Sequence, residues 1–168
     1  MQLRCKGWAE VEVERAVRES LLLTRAVGAT LIVNDHVRVA KDLKADGVHL
    51  GQTDLNPAAA RTILGDDFII GVSHNTPDEL TASLPIADYV AIGPIFPTQN
   101  MSIPKPTRGL SLIDRARQLT ELPIVAIGGI NTATIPKVRA AGASAWAVIS
   151  AVSGASDPTQ ATRDLLRA

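Results

Sequence analysis

The chain has 168 residues, 46% of them hydrophobic, and its 17 lysine and arginine residues are balanced by 17 aspartate and glutamate residues. This length predicts one domain, residues 1–168, with a sizeable core, and the balanced charge excludes the basic surface that nucleic-acid binding needs. Without an excess of positive charge to attract anions from a distance, any phosphate site must be built locally.

Cys5 is the single cysteine, which excludes an internal disulfide and fits a reducing compartment. No apolar run reaches the length of about 18 residues that suggests a membrane span. The first residues also lack the apolar core of a signal peptide. We therefore expect a cytoplasmic protein without a membrane partner.

Polar and apolar residues alternate at the start of the chain, which predicts a strand over residues 2–6. Gln2, Arg4 and Lys6 fall on one face of that strand, opposite Leu3 and Cys5. A polar inner face suits the open mouth of a barrel, where side chains meet a ligand. The alternative is an edge strand with ordinary surface charges.

Short apolar runs bounded by glycine or polar residues predict six further strands, and longer periodic stretches predict helices. These strands are expected at residues 30–33, 48–50, 68–72, 89–92, 123–127 and 146–149. Five helices are expected at residues 9–27, 37–43, 57–64, 111–119 and 136–141, and two more begin near residues 77 and 158. The proline-rich residues 94–109 predict a long loop of the kind that often serves a binding function.

The strict alternation of strands and helices predicts a parallel sheet in an α/β fold. Polar residues after most strands favour a closed TIM (β/α)8-type barrel over an open doubly wound sheet. The sequence yields seven strands and seven helices where such a barrel has eight of each, so the first βα unit is predicted to be missing. An uncovered gap would expose strand edges, and we therefore expect a homo-oligomer or a longer natural chain.

Two carboxylates follow the ends of two successive predicted strands: Asp35 and Asp54, 19 residues apart. Because the carboxyl ends of parallel strands share one rim, these side chains can converge. Mg²⁺ usually takes one or two protein carboxylates and completes its shell with water and phosphate oxygens, so the pair predicts a magnesium site. The alternative is that both residues are helix N-caps. Asn34 adds a donor and an acceptor beside the pair, and Ser73 occupies the corresponding rim position further on.

Two loops near the end of the chain predict a cradle for a phosphate group. Gly128-Gly129 follows one strand and Ser150 follows the next, and barrels often bind phosphate with the loops after their last two strands. The alternative for the glycine pair is a tight turn only. Arg4 and Lys6 are suited to hold a second anion.

Two histidines lie near these positions. His49, within the third predicted strand, is interpreted as a hydrogen-bonded interior histidine rather than a general base. His74 is either a surface residue of a loop or a part of the site. No nucleophile–base pair is evident in the sequence, which favours catalysis by positioning and charge stabilisation.

Taken together, these residues resemble the thiamine-phosphate synthase/thiazole tautomerase family of barrels. The matching segments follow the family's order and spacing: QLRCK (2–6), LIVND (31–35), GVHLGQTD (47–54), GVS (71–73), GPIFPT (93–98), VAIGGI (125–130) and AVIS (147–150). The resemblance implies an Mg²⁺-dependent transferase of thiamine biosynthesis, which joins hydroxymethylpyrimidine diphosphate to a thiazole phosphate and releases pyrophosphate.

The resemblance also implies a role for individual residues. Asp35 and Asp54 would hold Mg²⁺, and the catalytic residues would be Arg4, Lys6 and Ser73. The residues expected to bind the pyrimidine diphosphate are Gln2, Arg4, Lys6, Asn34 and Ser73. The residues expected to bind the thiazole phosphate are Thr98, Asn100, Gly129, Ile149 and Ser150.

The loop after the fifth strand departs from the family's pattern. It reads FPTQNM where FPTxTK is usual, so Asn100 replaces a threonine and Met101 replaces a lysine. Loss of one charge-assisted contact to a phosphate costs roughly 1.5–3 kcal/mol. Lys105, in the same loop, is a candidate to compensate, and Lys105→Ala should then weaken thiazole-phosphate binding. His74-Asn75 stands where synthases more often have Thr-His.

Two other functions are compatible with the sequence. A thiazole tautomerase would need neither metal nor diphosphate, and the retained Asp35, Asp54, Arg4 and Lys6 argue against it. A non-catalytic protein that binds or senses a phosphorylated ligand would fit Met101 and the missing first unit.

Overall fold

Strands and helices alternate along the chain in the computed structural model, which describes residues 1–98 and 106–168. The described residues form two units: the first comprises Met1–Ser73 and Pro85–Asp88, and the second comprises His74–Leu84 and Tyr89–Ala168. Asn100, Met101 and Lys105 lie outside the described residues. Within the described ranges, none of the helices combines the length and the apolar character that crossing a bilayer requires.

Residues 1–74 contain four strands and three helices, and all of these residues except the last belong to the first unit. The strands and helices are β1 (Gln2–Leu3), α1 (Glu10–Ala26), β2 (Ile32–Asn34), α2 (Val37–Asp42), β3 (Gly47–Leu50), α3 (Pro57–Leu64) and β4 (Ile69–His74), the last residue of β4 counting with the second unit. Neighbouring strands pair in parallel and in chain order, with Val33 opposite Val48 and Val48 opposite Ile70. The carboxyl ends of these strands therefore lie along one edge of the unit.

β2 and β3 are mostly apolar, and all of their residues are buried because both faces of these strands are covered. Val48, Leu50 and Ile70 are fully buried. α3 begins where the sequence supplies a cap: Asn56 Oδ1 accepts the Ala58 N–H at 2.9 Å, directly before Pro57 at the start of the helix.

The second unit contains three strands and five helices among its described residues. They are α4 (Pro77–Ser83), β5 (Tyr89–Ile92), α5 (Ser111–Leu119), β6 (Ile124–Ile127), α6 (Ile135–Ala140), β7 (Ala145–Ala147), α7 (Ser150–Ser153) and α8 (Pro158–Arg167). β6 pairs in parallel with both β5 and β7, with Ala126 opposite Ile92 and Trp146. The carboxyl ends of these three strands again lie along one edge.

The predicted number of strands is confirmed for the described residues, and several bounds are corrected. β1 stops at Leu3 rather than at Lys6, because the chain turns there: the Trp8 N–H donates to the Cys5 carbonyl, and Gly7 is left-handed at φ 81°. The last strand spans Ala145–Ala147 rather than residues 146–149. The predicted count of seven helices is wrong, since α7 makes eight in the described part of the chain.

Candidate active site

Polar side chains collect at the carboxyl-end edge of the first unit, in the loops after β1, β2 and β3 and near the end of β4. They belong to Lys6, Asn34, Asp35, Gln52, Asp54 and Ser73.

Asp35 follows β2 directly and has a left-handed backbone with φ 68°, which aspartate tolerates better than most residues. Its N–H donates to the carbonyl of His49 at 3.0 Å, so its position is tied to β3. The side chain is 20% exposed, and Oδ1 is buried without a hydrogen-bond partner among the described residues. A buried carboxylate oxygen without a donor is costly, and it favours a cation or a ligand donor at this point.

Asp54 closes a turn that begins at Gly51, directly after β3. The Gly51 N–H donates to Asp54 Oδ2 at 2.7 Å, and a Cβ on Gly51 would lie 2.9 Å from that oxygen. Only glycine therefore allows the carboxylate to come this close. The alternative that Asp35 and Asp54 are helix N-caps is wrong, because Asn56 caps α3 and the N-cap of α2 is His36.

Lys6 connects the two carboxylates. Its Nζ lies 2.8 Å from Asp35 Oδ2 and 3.7 Å from Asp54 Oδ1. Since one ammonium group contacts both side chains, the carboxylates converge on one point, as the position of the strand ends predicts. Two carboxylates and one ammonium carry a net negative charge when all are ionised, which favours a further cation nearby.

The two carboxyl groups have opposite pKa shifts. Burial raises the pKa of Asp35, and the neighbouring Asp54 raises it further against the effect of Lys6. Burial also acts to raise the pKa of Asp54, but the hydrogen bonds with Asp35 and the Gly51 N–H, together with Lys6, outweigh it and lower that pKa. Asp54 therefore holds its charge more firmly, whereas the charge of Asp35 depends on a partner.

Ser73, in β4, is held by two side chains from β3 and the loop that follows it. His49 Nε2 and Ser73 Oγ are 2.6 Å apart, and Gln52 Nε2 donates to the Ser73 carbonyl at 2.7 Å. His49 is buried and thus a hydrogen-bonded interior histidine, as interpreted from the sequence. Asn34 is also buried, and its Nδ2 donor has no partner among the residues described.

His74 ends β4 and is only 1% exposed. Its Nε2 lies 2.7 Å from Ser83 Oγ, and burial lowers the pKa of His74 to about 4. The alternative of a surface loop residue is wrong, because β4 continues beyond the predicted end at residue 72.

The structure does not bring every predicted residue into contact with this cluster. Gln2 and Arg4 are exposed, and Arg4 forms no ion pair with a described residue. Gly51 and Gln52, which the sequence analysis did not single out, do belong to it. Their place in the polar GQTD segment directly after a strand was the available clue.

The glycine pair that the sequence analysis interpreted as part of a phosphate cradle lies in the second unit. Gly128 and Gly129 are both left-handed, with φ of 87° and 67°. A Cβ on Gly128 would lie 2.5 Å from Pro94 Cβ, and one on Gly129 would lie 2.6 Å from the Pro97 carbonyl oxygen and 2.7 Å from Phe96 Cβ. The pair therefore does more than form a tight turn: it lets the segment after β5 pack directly on the end of β6.

The other residues predicted for this cradle also follow strand ends of the second unit. Thr98 is half-buried and lies beyond β5. Ile149, 49% exposed, directly precedes α7, and Ser150 is the first residue of that helix. Arg108, which no sequence pattern indicated, returns the long loop to the end of β5, because its N–H donates to the Pro94 carbonyl at 2.8 Å.

Comparisons with known proteins identify the family of this chain. Residues 1–152 match the family described as thiamine monophosphate synthase. The chain is 48% identical over 139 residues to the thiamine-phosphate synthase of Methanocella arvoryzae, covering 82% of this chain and 66% of that protein. It is 41% identical over 165 residues to the thiamine-phosphate synthase of Laribacter hongkongensis, covering 98% of this chain and 78% of that protein.

A solved structure is similar over almost the whole chain. The thiamine phosphate pyrophosphorylase from Pyrococcus furiosus superposes with a TM-score of 0.90 at 35% identity, covering 99% of this chain and 80% of that one. The predicted TIM-type α/β fold that lacks one strand–helix unit is thereby confirmed. The predicted family resemblance and synthase function are confirmed by the same matches.

Proposed function

Because this chain belongs to the thiamine monophosphate synthase family, we propose that it joins hydroxymethylpyrimidine diphosphate to thiazole phosphate and releases pyrophosphate. The observation that carries the proposal is the cluster of Lys6, Asp35 and Asp54, in which one ammonium contacts two partly buried carboxylates. A diphosphate with its cation needs both kinds of group in one place.

The acidic pair suits a divalent cation, and we propose Mg²⁺ with Asp35 and Asp54 as its protein ligands. Both are hard oxygen donors, and Asp35 Oδ1 has no donor among the described residues. No three acidic, histidine or cysteine side chains in the described ranges form a complete metal cage. An ion held by two carboxylates would take its other ligands from water and the diphosphate, which is the usual arrangement for Mg²⁺. Bound there, Mg²⁺ would offset the negative charge of the departing pyrophosphate.

The pyrimidine diphosphate is assigned to the first unit. Lys6 and Arg4 bind the diphosphate as cations, and the unpaired amide donor of Asn34 contacts one of its oxygens. Ser73, fixed by His49 and Gln52, contacts the pyrimidine. Gln2 completes this group.

The thiazole phosphate is assigned to the second unit. Gly129 and Ser150 bind the phosphate from the loops after β6 and β7, where Gly129 has the left-handed backbone that anion-binding turns often use. Thr98 and Ile149 line the same substrate, and so does Asn100, which lies outside the described residues.

The reaction is a displacement with dissociative character. The bond between the pyrimidine's methylene carbon and the diphosphate oxygen breaks, and the electron pair leaves with pyrophosphate. The amino group of the pyrimidine stabilises the resulting cation, and the thiazole nitrogen then forms the new C–N bond. Such a reaction requires positioning and stabilisation of the leaving charge rather than a covalent nucleophile, and Lys6 and Arg4 supply that charge here.

The proposal is tested by incubating the pure protein with both phosphorylated substrates and Mg²⁺ and following pyrophosphate release. Release should require both substrates and the metal, and Lys6→Met should slow it by about ten- to a hundredfold. The matched control is Lys137→Met, which removes a lysine from α6. Binding of both substrates without turnover would instead support a non-catalytic binding protein, and isomerisation of a thiazole carboxylate phosphate without metal would support a tautomerase.

Two broader expectations accompany this proposal. A biosynthetic enzyme that acts on small phosphorylated substrates fits the cytoplasm, which fractionation would test. We also propose that the chain forms a homo-oligomer, and light scattering of the purified protein would show this by a mass that is a multiple of 17.7 kDa.

A further inference from the structure

Arg108 is a cation for which the described residues provide no counter-charge. Its Nε is buried and has no hydrogen-bond partner, and its guanidinium forms no ion pair within the described part of the chain. Arg61 and Arg117, by contrast, direct their guanidinium groups at backbone carbonyls and carboxylates. A buried donor on a permanent positive charge is costly unless an anion accepts from it.

The backbone places Arg108 beside the phosphate cradle. Its N–H donates to the Pro94 carbonyl at 2.8 Å, and the next residue, Gly109, donates to the Ile95 carbonyl at 3.2 Å. The same Pro94 packs so closely on Gly128 that a Cβ there would lie 2.5 Å from Pro94 Cβ. Arg108 and the glycine pair are therefore anchored to one short segment at the end of β5, all within the second unit.

We propose that Arg108 binds the phosphate group of the thiazole substrate. The inference rests on the proposed function and adds to it a cation that the family pattern does not indicate. Arg108 would also supply the positive charge that the loop after β5 lacks, because Met101 stands where the family pattern has a lysine. A guanidinium suits this role because its donors are fixed in a fork that matches phosphate oxygens and because it stays charged at any working pH.

The decisive measurement is calorimetric binding of thiazole phosphate and of the same thiazole as its free alcohol, to wild type and Arg108→Gln. Arg108→Gln should weaken binding of the phosphate by about ten- to a hundredfold, the range expected for lost charge-assisted bonds, and leave binding of the alcohol unchanged. Arg108→Lys should retain part of the affinity because the charge remains. Arg115→Gln is the matched control, because Arg115 is exposed on the neighbouring α5 and bonds only the Ser111 carbonyl there.

A structural role makes a different prediction. If Arg108 served the fold, Arg108→Gln would lower the midpoint of thermal unfolding without ligand, and both ligands would bind more weakly. A phosphate-binding role predicts an unchanged or higher midpoint, because a guanidinium nitrogen that is buried without an acceptor does not stabilise the native state. Equal loss of affinity for phosphate and alcohol, or no loss for either, would overturn the proposal.

A second measurement uses the wild-type protein and does not depend on how the variants fold. Thiazole phosphate should protect Arg108 from labelling by 2,3-butanedione, as mapped by mass spectrometry, and the free alcohol should not. Labelling of Arg108 that is indifferent to thiazole phosphate would refute the proposal. Failure of the proposed function is distinguishable, because wild type would then neither bind thiazole phosphate nor release pyrophosphate from the two substrates.

Discussion

The contact between His49 and Ser73 permits a quantitative test of how the site is held together. His49 is 6% exposed, Ser73 is half-buried, and the distance from His49 Nε2 to Ser73 Oγ is 2.6 Å, which is short for a hydrogen bond. His49→Phe keeps a ring of similar size but leaves the Ser73 hydroxyl without this partner, and Ser73→Ala does the reverse. Each single variant should lower the free energy of unfolding by about 1–3 kcal/mol, the cost of an unsatisfied buried group.

The double variant isolates the bond itself. His49→Phe removes the other interactions of His49 equally whether residue 73 is serine or alanine. A double-mutant cycle measured by urea unfolding should therefore give a coupling energy between His49 and Ser73 of about 1 kcal/mol. The same cycle on turnover should be non-additive: either single change raises KM for the pyrimidine diphosphate, and the second adds little. Effects on unfolding that add to within about 0.3 kcal/mol would refute the view that His49 fixes Ser73.

Three further changes probe other parts of the structure. Asp54→Asn should raise the Mg²⁺ concentration for half-maximal pyrophosphate release at least about tenfold. The control Asp66→Asn, at an exposed residue, should not change it. The same Mg²⁺ dependence in both variants would show that Asp54 is not a metal ligand. Gly129→Ala should lower the free energy of unfolding by about 2 kcal/mol more than Gly142→Ala, because both are left-handed but only the former meets atoms at 2.6–2.7 Å; equal losses by urea unfolding would contradict this packing. Burial lowers the pKa of His74 from 6.5 to about 4 in the folded protein. Between pH 6.5 and pH 4 the unfolded chain therefore binds more protons than the folded one. The free energy of unfolding should fall as the pH drops through this range, by roughly 3 kcal/mol at most. His74→Gln should flatten this pH dependence in urea unfolding, and an unchanged slope would show that another group causes it.

The sequence predicted the location of those site residues that lie near the ends of strands, because their location depends only on the order of the strands. Asp35 and Asp54 each lie within a few residues of the end of a buried strand, and the carboxyl ends of consecutive parallel strands must share an edge. Their convergence therefore needed no knowledge of side-chain packing. The glycine pair at residues 128–129 followed from the same logic in the second unit.

The sequence did not predict features that depend on how loops return to the sheet. Lys6 reaches both carboxylates because the chain turns at Cys5–Trp8, whereas period-two alternation predicted a longer strand. His74 was ambiguous because the polar Ser73-His74-Asn75 segment predicted the end of the strand. In the structure β4 includes His74, whose carbonyl accepts the Gly93 N–H at 3.2 Å. Arg108 carries no local pattern, since its significance lies in a buried nitrogen without an acceptor.

The position of Lys6 has a consequence for how a divalent ion would enter. The Lys6 ammonium contacts Asp35 and lies 3.7 Å from Asp54, so both carboxylates already have a positive charge beside them. If Mg²⁺ binds there as proposed, it would compete with the Lys6 ammonium, and its apparent affinity would report the exchange of one cation for another. The displaced lysine would then be available to bind the diphosphate, so that metal binding and substrate binding would favour each other.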